Sequence, residues 1–188
     1  MSRTDVHVTR TADLFATVEA RHSVRAFEPR EVEPATLEQI LMAANRAPSA
    51  GNLQAYEIVV VRAPGRRRAL ARAAQGQAFV ANAPVVLVFC ADPERSAERY
   101  GRRGTELFAV QDATIAAAYA QLAAAALGLG STWVGAFDEA VAAGVVGGLR
   151  PVCLLPLGYP AERPEPMSRR GLDGLVHDER LRGGAVAR

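Results

Sequence analysis

Lysine is absent from this chain of 188 residues, whose 22 basic residues are all arginine. This absence excludes the nucleotide-binding loops and the imine-forming enzymes that depend on a lysine. Histidine occurs three times and cysteine twice, at His7, His22, His177, Cys90 and Cys153. So few and so scattered, these residues predict neither a metal site nor a disulfide framework. Both cysteines stand in apolar runs and are predicted to be buried core thiols.

A strong charge of either sign is also lacking. The net charge is +2, with 22% charged and 49% hydrophobic residues, which is typical of a globular domain and gives no sign of a nucleic-acid partner. The triplet Arg66, Arg67 and Arg68 is predicted to be the solvated face of a helix. No apolar stretch opens the chain, so a secretory signal is not predicted and we expect a cytoplasmic protein.

The longest uncharged run covers the 25 residues between Asp112 and Asp138, which is long enough to span a bilayer. It consists mostly of weakly apolar alanine, contains Gln121, and is interrupted by Gly128 and Gly130. Glutamine is costly in lipid. The run therefore predicts a tightly packed internal helix and a following strand, and no membrane contact.

Hydrophobic periodicity predicts alternating helices and apolar strands. Helices are expected over 11–20 with Thr11 as N-cap, from Pro34 with a capping box at 36–39, from Pro64, over 106–127, and over 139–146 with Asp138 as cap. Strands are expected at Tyr56–Val61, Val85–Cys90 and Val152–Leu157, with a turn at Asp92-Pro93. A short strand or an extended turn is expected at Ser131–Phe137. Pro156 predicts an edge strand or a bulge.

This order of elements indicates an α+β domain with a mixed sheet, because helices sometimes follow helices. Residues 1–10 are expected to form a flexible N-terminal arm. Residues 11–188 are expected to form a single domain.

Arginines provide the clearest chemical signal. Arg21, Ser23 and Arg25 alternate along an extended segment, so their side chains can face one side and bind a phosphate. Arg169 and Arg170 form a second pair far along the chain. Taken alone, each set is also typical of a solvated surface, and the Pro48–Asn52 segment is also typical of an ordinary turn.

Four motifs taken together change this interpretation. RHSVRAF at 21–27, PSAGNLQ at 48–54, GLGSTWVGAF at 128–137 and SRRGL at 168–172 occur in one order with apolar strands between them. The chain in this respect resembles the nitroreductase family of FMN-dependent oxidoreductases, from about Arg21 to His177. The resemblance implies a nitroreductase-like fold, with a mostly antiparallel sheet flanked by helices, in a homodimer with FMN at the interface.

The resemblance also implies a set of flavin contacts. Arg21, His22, Ser23 and Arg25 would hold the phosphate and ribityl chain, and Arg169 and Arg170 would return to the phosphate. The remaining expected contacts surround the isoalloxazine ring or ribityl chain: Pro48, Ser49, Ala50, Asn52, Gln77, Gly135 and Ala136. The backbone N–H groups of Gly135 and Ala136 would lie near flavin N5 and O4. No side chain is expected to be catalytic.

The activity implied is hydride transfer from NADH or NADPH, through the flavin, to a nitroaromatic, quinone or similar acceptor by a ping-pong mechanism. Two alternatives stay open. One is another reaction of the same fold: dehalogenation, flavin fragmentation or azoline dehydrogenation. The other is a flavin-sequestering protein with little turnover. The chain is short and leaves little sequence for the lid helices of larger members.

Overall fold

The computed structural model describes residues 13–181, so the expected arm at 1–10 and the proposed cap Thr11 lie outside the described residues. Asp13 takes the capping role, and its Oδ1 accepts the N–H of Phe15 at 3.1 Å. The helices are α1 Leu14–Ala20, α2 Pro34–Asn45, α3 Pro64–Ala73, α4 Ala78–Asn82, α5 Pro93–Arg103, α6 Ala109–Ala126 and α7 Glu139–Val146.

Four strands form one sheet in the order β1-β2-β4-β3, and neighbouring strands are antiparallel. They are β1 Tyr56–Val61, β2 Val85–Ala91, β3 Gly130–Ser131 and β4 Arg150–Gly158. A parallel bridge between Ser23 and Ser131 adds the segment 21–27 beside β3. The expected α+β fold with a mixed, mostly antiparallel sheet is confirmed.

Strand β2 lies at the centre of the core, and all seven of its residues are buried. Leu87 and Phe89 point towards α2 and α6, whereas Val88 and Cys90 point towards α3 and α7. Cys153 belongs to the first of these clusters, so the two thiols face opposite sides of the sheet. Burial raises the pKa of Cys90 to about 11 and raises that of Cys153 still further. Both cysteines are buried core thiols, as expected.

Two expectations about helix starts are wrong. Asp92 and Pro93 do more than turn the chain: Asp92 caps α5 by accepting the N–H of Arg95 at 3.1 Å, and Pro93 occupies the first helical turn. Helix α2 begins at Pro34 as predicted, but its N-cap is Glu33, without a capping hydrogen bond from a side chain. A proline at the first helical position is sufficient because its missing N–H needs no partner there.

Pro156 lies within an inner strand, which corrects the expectation of an edge strand. Its carbonyl accepts the N–H of Thr132 at 3.4 Å, so residue 156 presents its backbone to the side of β3. Because β3 has only two residues, the missing N–H of Pro156 costs little on that side. The register of β2 and β4 shifts between Phe89 and Cys90, at the other end of the strand.

Arg67 departs from the expected solvated face of α3. Its guanidinium donates to the carbonyls of Arg62 at 3.0 Å and Ala81 at 2.7 Å, and also to that of Ala83. Burial and the neighbouring charge of Arg68 lower its pKa. Arg67 therefore joins α3 to the end of α4, while Arg66 and Arg68 are exposed.

Helix α6 follows a π-helical turn at Gly104–Phe108 and ends at Ala126, close to the predicted 106–127. Its buried side is made of small side chains, chiefly Ala113, Ala116, Ala117, Ala120 and Ala124. None of the helices within residues 13–181 combines the length and apolar character that crossing a membrane requires.

The segment 21–27 packs tightly against β3. The N–H of Val24 donates to the carbonyl of Ser131 at 3.0 Å. A Cβ at Gly130 would lie 2.7 Å from Cγ1 of Val24, closer than two carbon atoms approach each other. Only glycine at position 130 therefore lets this segment lie beside the sheet.

We predict that Gly130→Ala lowers the free energy of unfolding by about 1–3 kcal/mol, because the added methyl group overpacks this contact. The measurement is chemical denaturation. Gly130→Ala combined with Val24→Ala should recover part of the loss. The control Gly144→Ala, which meets open space in α7, should be neutral or stabilising by about 0.5–1 kcal/mol. Equal effects of the two glycine substitutions would contradict the packing argument.

A second contact attaches the start of α2 to the end of β4. Tyr159 donates its hydroxyl to Oε2 of Glu33 at 2.5 Å, and Arg30 donates to Oε1 at 2.7 Å. The Arg30 guanidinium lies 3.7 Å from the Tyr159 ring centroid. The hydrogen bond from Tyr159, followed by that from Arg30, lowers the pKa of Glu33 to about 2.

We predict that this contact stabilises the fold above about pH 4.5 and that the stabilisation disappears as pH falls towards 2. The sign follows because a carboxyl with a depressed pKa in the folded state must be protonated to lose its partners. The difference in melting temperature between the wild type and Glu33→Gln should shrink over that range. In Tyr159→Phe, carbon NMR should show the pKa of Glu33 rising towards 4.5. A pKa near 4.5 in the wild type would contradict the assignment.

Candidate functional site

The segment 21–27 begins where α1 ends, with the N–H of Arg21 bonded to the carbonyl of Thr17 at 3.0 Å. Arg21 and His22 are half-buried and line a cavity of about 190 Å³, together with the end of α6 and the segment after β4. Arg163 lines the same cavity. Sequence reasoning missed this arginine, because nothing in the sequence indicates that the chain after β4 returns to Arg21.

Backbone N–H groups of this segment already bind a carboxylate oxygen. Oε1 of Glu162 accepts the N–H groups of Arg25 at 2.5 Å and Ala26 at 3.1 Å. The Arg25 side chain extends towards α4, where its guanidinium lies 5.8 Å from the ring centroid of Phe79. The segment thus presents guanidinium and amide donors together, a combination that suits oxyanions.

Gly135 and Ala136 follow along the same edge of the sheet, and both are exposed. Val134 exchanges two backbone hydrogen bonds with Leu154, which holds this extended segment beside β4. Nε2 of Gln77 donates to the carbonyls of Ala74 at 3.0 Å and Ala136 at 3.4 Å. The structure therefore brings three of the expected residues, Gln77, Gly135 and Ala136, together.

The expected ring loop, Pro48–Asn52, forms a turn of 3-10 helix at Ala50–Asn52. Ser49 Oγ accepts the N–H of Gln54 at 3.0 Å. Asn52 and Gln54 have φ of 57° and 52°, a left-handed conformation that side chains other than glycine adopt at a cost. Such a backbone persists only where its surroundings hold it.

Asp112, the fourth residue of α6, holds both ends of this loop. It is 2% exposed, and its two oxygens accept the N–H of Ala50 at 2.9 Å and of Ala55 at 3.3 Å. Sequence reasoning used Asp112 only as the boundary of an uncharged run. A charged residue heading an alanine-rich, buried helix was the signal available. Burial, and then the charge of Asp112, raises the pKa of the nearby Tyr56.

Helix α5 covers the outer side of the loop. Arg95 Nε donates to the carbonyl of Leu53 at 2.6 Å, and Arg99 donates to that of Gly51 at 3.5 Å. Gly51 has φ of 55°, and a Cβ there would lie 2.5 Å from the Tyr100 hydroxyl. Sequence reasoning missed both arginines, because it did not predict α5.

The loop and the 21–27 segment lie at opposite corners of the sheet. Ser23 lies beside β3, so four inter-strand spacings, about 19 Å in all, separate it from β1. Leu157 of β4 pairs with both Ser131 of β3 and Val85 of β2. Followed across the sheet, this line of paired residues reaches β1 near the carboxyl end of β1, whereas the loop precedes the amino end of β1. One protomer therefore does not bring the two groups together.

Arg169 and Arg170 are exposed, and neither forms a hydrogen bond with Arg21, Ser23 or Arg25. Arg170 instead donates to the carbonyl of Gly174, within its own segment. Their expected return to a phosphate stays a prediction. Among residues 13–181, no group of histidine, cysteine and acidic side chains could hold a metal ion.

Comparison with known proteins identifies the family. The chain matches the sequence profile of the Nitroreductase family over residues 18–80 and 71–159. The chain belongs to the nitroreductase family. This nitroreductase-family chain is 38% identical over 186 residues to the NADH dehydrogenase of Thermus thermophilus, covering 83% of this chain and 91% of that protein.

Two further relatives extend the similarity. The FMN reductase [NAD(P)H] of Bacillus subtilis is 30% identical over 173 residues, which cover 84% of this chain and 70% of that protein. The structure of the NADPH:FMN oxidoreductase from Vibrio harveyi in complex with NAD+ superimposes with a TM-score of 0.83 at 27% identity, covering 92% of this chain and 80% of that one. The resemblance in the sequence motifs and the expected fold are thereby confirmed.

We predict that Asp112→Asn releases the loop of this nitroreductase-family chain. The amide keeps one acceptor, but its NH₂ group faces a backbone N–H, so one end of the loop loses its partner. Unfolding free energy should fall by about 1–3 kcal/mol, and hydrogen exchange should accelerate at Ala50 or Ala55. The control Glu38→Gln changes an exposed carboxylate on α2 and should do neither. Unchanged exchange at both amides would refute the clamp.

Proposed function

We propose that this chain is an FMN-dependent oxidoreductase that transfers hydride from NADH or NADPH to a nitroaromatic, a quinone or a similar acceptor. The observation that carries the proposal is the set of anion-binding donors at 21–26, which continues beside Ser131 to the exposed backbone of Gly135 and Ala136. The similarity to an FMN reductase and to an NADPH:FMN oxidoreductase supports it. FMN supplies the ring that accepts and returns hydride.

The donor set fits the phosphate of FMN. The Glu162 carboxylate uses the backbone amides of Arg25 and Ala26, so the side chains of this segment are the donors left for a phosphate. The guanidinium groups of Arg21 and Arg25 are assigned to the phosphate, with His22 and Ser23 beside them. Charge-assisted hydrogen bonds of this kind contribute about 1.5–3 kcal/mol each.

The distance along the sheet edge suits an elongated cofactor. Ser131 and Gly135 are four residues apart in extended backbone, which corresponds to about 13 Å. We assign the ring end to Gly135 and Ala136, whose backbone N–H groups are available for hydrogen bonds, while Gln77 holds Ala136. No side chain is proposed to move a proton. The cosubstrate and the acceptor would use the same exposed face in turn, which gives ping-pong kinetics.

A second copy of the chain completes the proposed site. Pro48, Ser49, Ala50 and Asn52 lie too far from Arg21 to contact the same FMN within one protomer, so we assign them to the flavin of the partner. Large apolar side chains also lack cover: Phe15 in α1 is 80% exposed and Met167 is 83% exposed. Their burial between two copies would favour a homodimer with two equivalent sites.

The test is the visible absorption spectrum of the purified protein before and after anaerobic addition of NADH or NADPH. Flavin bands that bleach on addition are the expected result. Bands that persist would favour a flavin-sequestering protein. A protein that takes up no FMN after soaking would overturn the proposal.

Arginine variants test the phosphate assignment in the same assay. Arg21→Ala and Arg25→Ala should each weaken FMN binding by about tenfold to a hundredfold, because each removes one charge-assisted contact. Arg68→Ala is the control, since Arg68 is an exposed arginine on α3. Full flavin occupancy in both Arg21→Ala and Arg25→Ala at low FMN concentration would place the phosphate elsewhere.

A further inference from the structure

Two arginines on α5 lie beside the loop that we assign to the flavin ring. Arg95 and Arg99 are one helical turn apart, and both donate to carbonyls of the loop 51–53. Each guanidinium carries five N–H donors and the structure shows one of them in use, so most of the donors are free for a ligand. Both side chains belong to exposed residues.

Their charge is not neutralised by the protein. Arg30, Arg102 and Arg150 each form an ion pair with a glutamate. Within residues 13–181, neither Arg95 nor Arg99 has such a partner. Two neighbouring guanidinium groups that form no ion pair repel each other and attract a doubly charged anion.

A groove of about 380 Å³ opens beside Arg95, between α2 and β1. Leu41, Tyr56 and Ile58 give it an apolar wall, and Asn45 and Gln54 add amide groups. Glu57 also lines it but forms no ion pair with Arg95. Apolar walls with a few amides suit a purine ring, and a cation at the rim suits a phosphate attached to it.

The FMN phosphate does not account for this pair, because the loop beside it is assigned to the ring of the partner's FMN and not to the phosphate. The proposed FMN phosphate lies with Arg21 and Arg25, at the other corner of the sheet. Nitroaromatic and quinone acceptors carry no phosphate. The remaining phosphate-bearing reactant of the proposed function is the nicotinamide cosubstrate, and its 2′-phosphate is the doubly charged group that separates NADPH from NADH.

We propose that Arg95 and Arg99 bind the 2′-phosphate of NADPH, with the adenosine in the adjoining groove, and that the enzyme therefore prefers NADPH. This inference rests on the proposed function, because it takes the loop beside these arginines to lie at the flavin ring. It assigns a role in cosubstrate specificity to α5.

The first test compares the two cosubstrates in the FMN-loaded protein. The wild type should show a kcat/KM for NADPH at least tenfold above that for NADH. Arg95→Ala and Arg99→Ala should each lower the value for NADPH by about tenfold to a hundredfold. The value for NADH should fall by a clearly smaller factor, since both side chains also hold the loop. Arg102→Ala, on the same helix but paired with Glu106, should change neither. Arg99→Lys should recover part of the NADPH value.

Equal loss with both cosubstrates would show that the arginines only hold the loop, and would overturn the proposal. A wild type without preference for NADPH would overturn it as well. Retained FMN absorbance in the variants excludes a loss of cofactor as the cause.

A binding measurement separates this inference from the proposed function. Calorimetry with 2′,5′-ADP and with 5′-AMP requires no turnover. The wild type should bind 2′,5′-ADP more tightly than 5′-AMP, and Arg95→Ala and Arg99→Ala should abolish the difference while Arg102→Ala keeps it. Absence of any difference in the wild type refutes the phosphate pair. Absence of flavin bleaching by either cosubstrate, with this difference intact, refutes only the proposed function.

Discussion

The width of the sheet is the constraint on which the proposed site depends. Strand order β1-β2-β4-β3 places the anion-binding segment beside β3 and the loop of residues 48–52 before β1. With strands about 4.8 Å apart, the segment and the loop are too far from each other for both to contact one ligand within a protomer. A site that uses both must be built by two copies of the chain, and two such sites arise together when the copies are related by a twofold axis.

The loop's conformation depends in turn on Asp112. A buried carboxylate is costly unless its oxygens are bonded, and here both accept backbone N–H groups of the loop. The same helix that packs its alanines against the sheet therefore holds the loop in its left-handed conformation, and the arginines of α5 close the loop from outside.

Local rules predicted those elements whose causes are local. Strand Tyr56–Val61 follows from a run of apolar, mostly β-branched residues, and Asp138 caps α7 as predicted. Pro156 led to the wrong prediction of an edge strand, because a proline is tolerated inside this sheet only where the neighbouring strand β3 is short. The length of β3 depends on the whole sheet and not on the residues around Pro156. Helix α5 was missed since Asp92-Pro93 also fits a turn. Asp112, Glu162 and Arg163 act through contacts with residues far away in sequence, which periodicity does not report.

Glu162 joins the segment after β4 to the segment 21–27 by hydrogen bonds. Its carboxylate uses the amides of Arg25 and Ala26, which leaves the guanidinium groups of Arg21 and Arg25 for a ligand. The negative charge of Glu162 would repel a phosphate that approached those same amides, so it directs a phosphate to the side chains. The arginine nearest in the chain, Arg163, lines the cavity on that side. In the proposed site, a carboxylate that fixes the backbone and an adjacent guanidinium that adds positive charge would therefore give the segment after β4 a direct part in binding the phosphate.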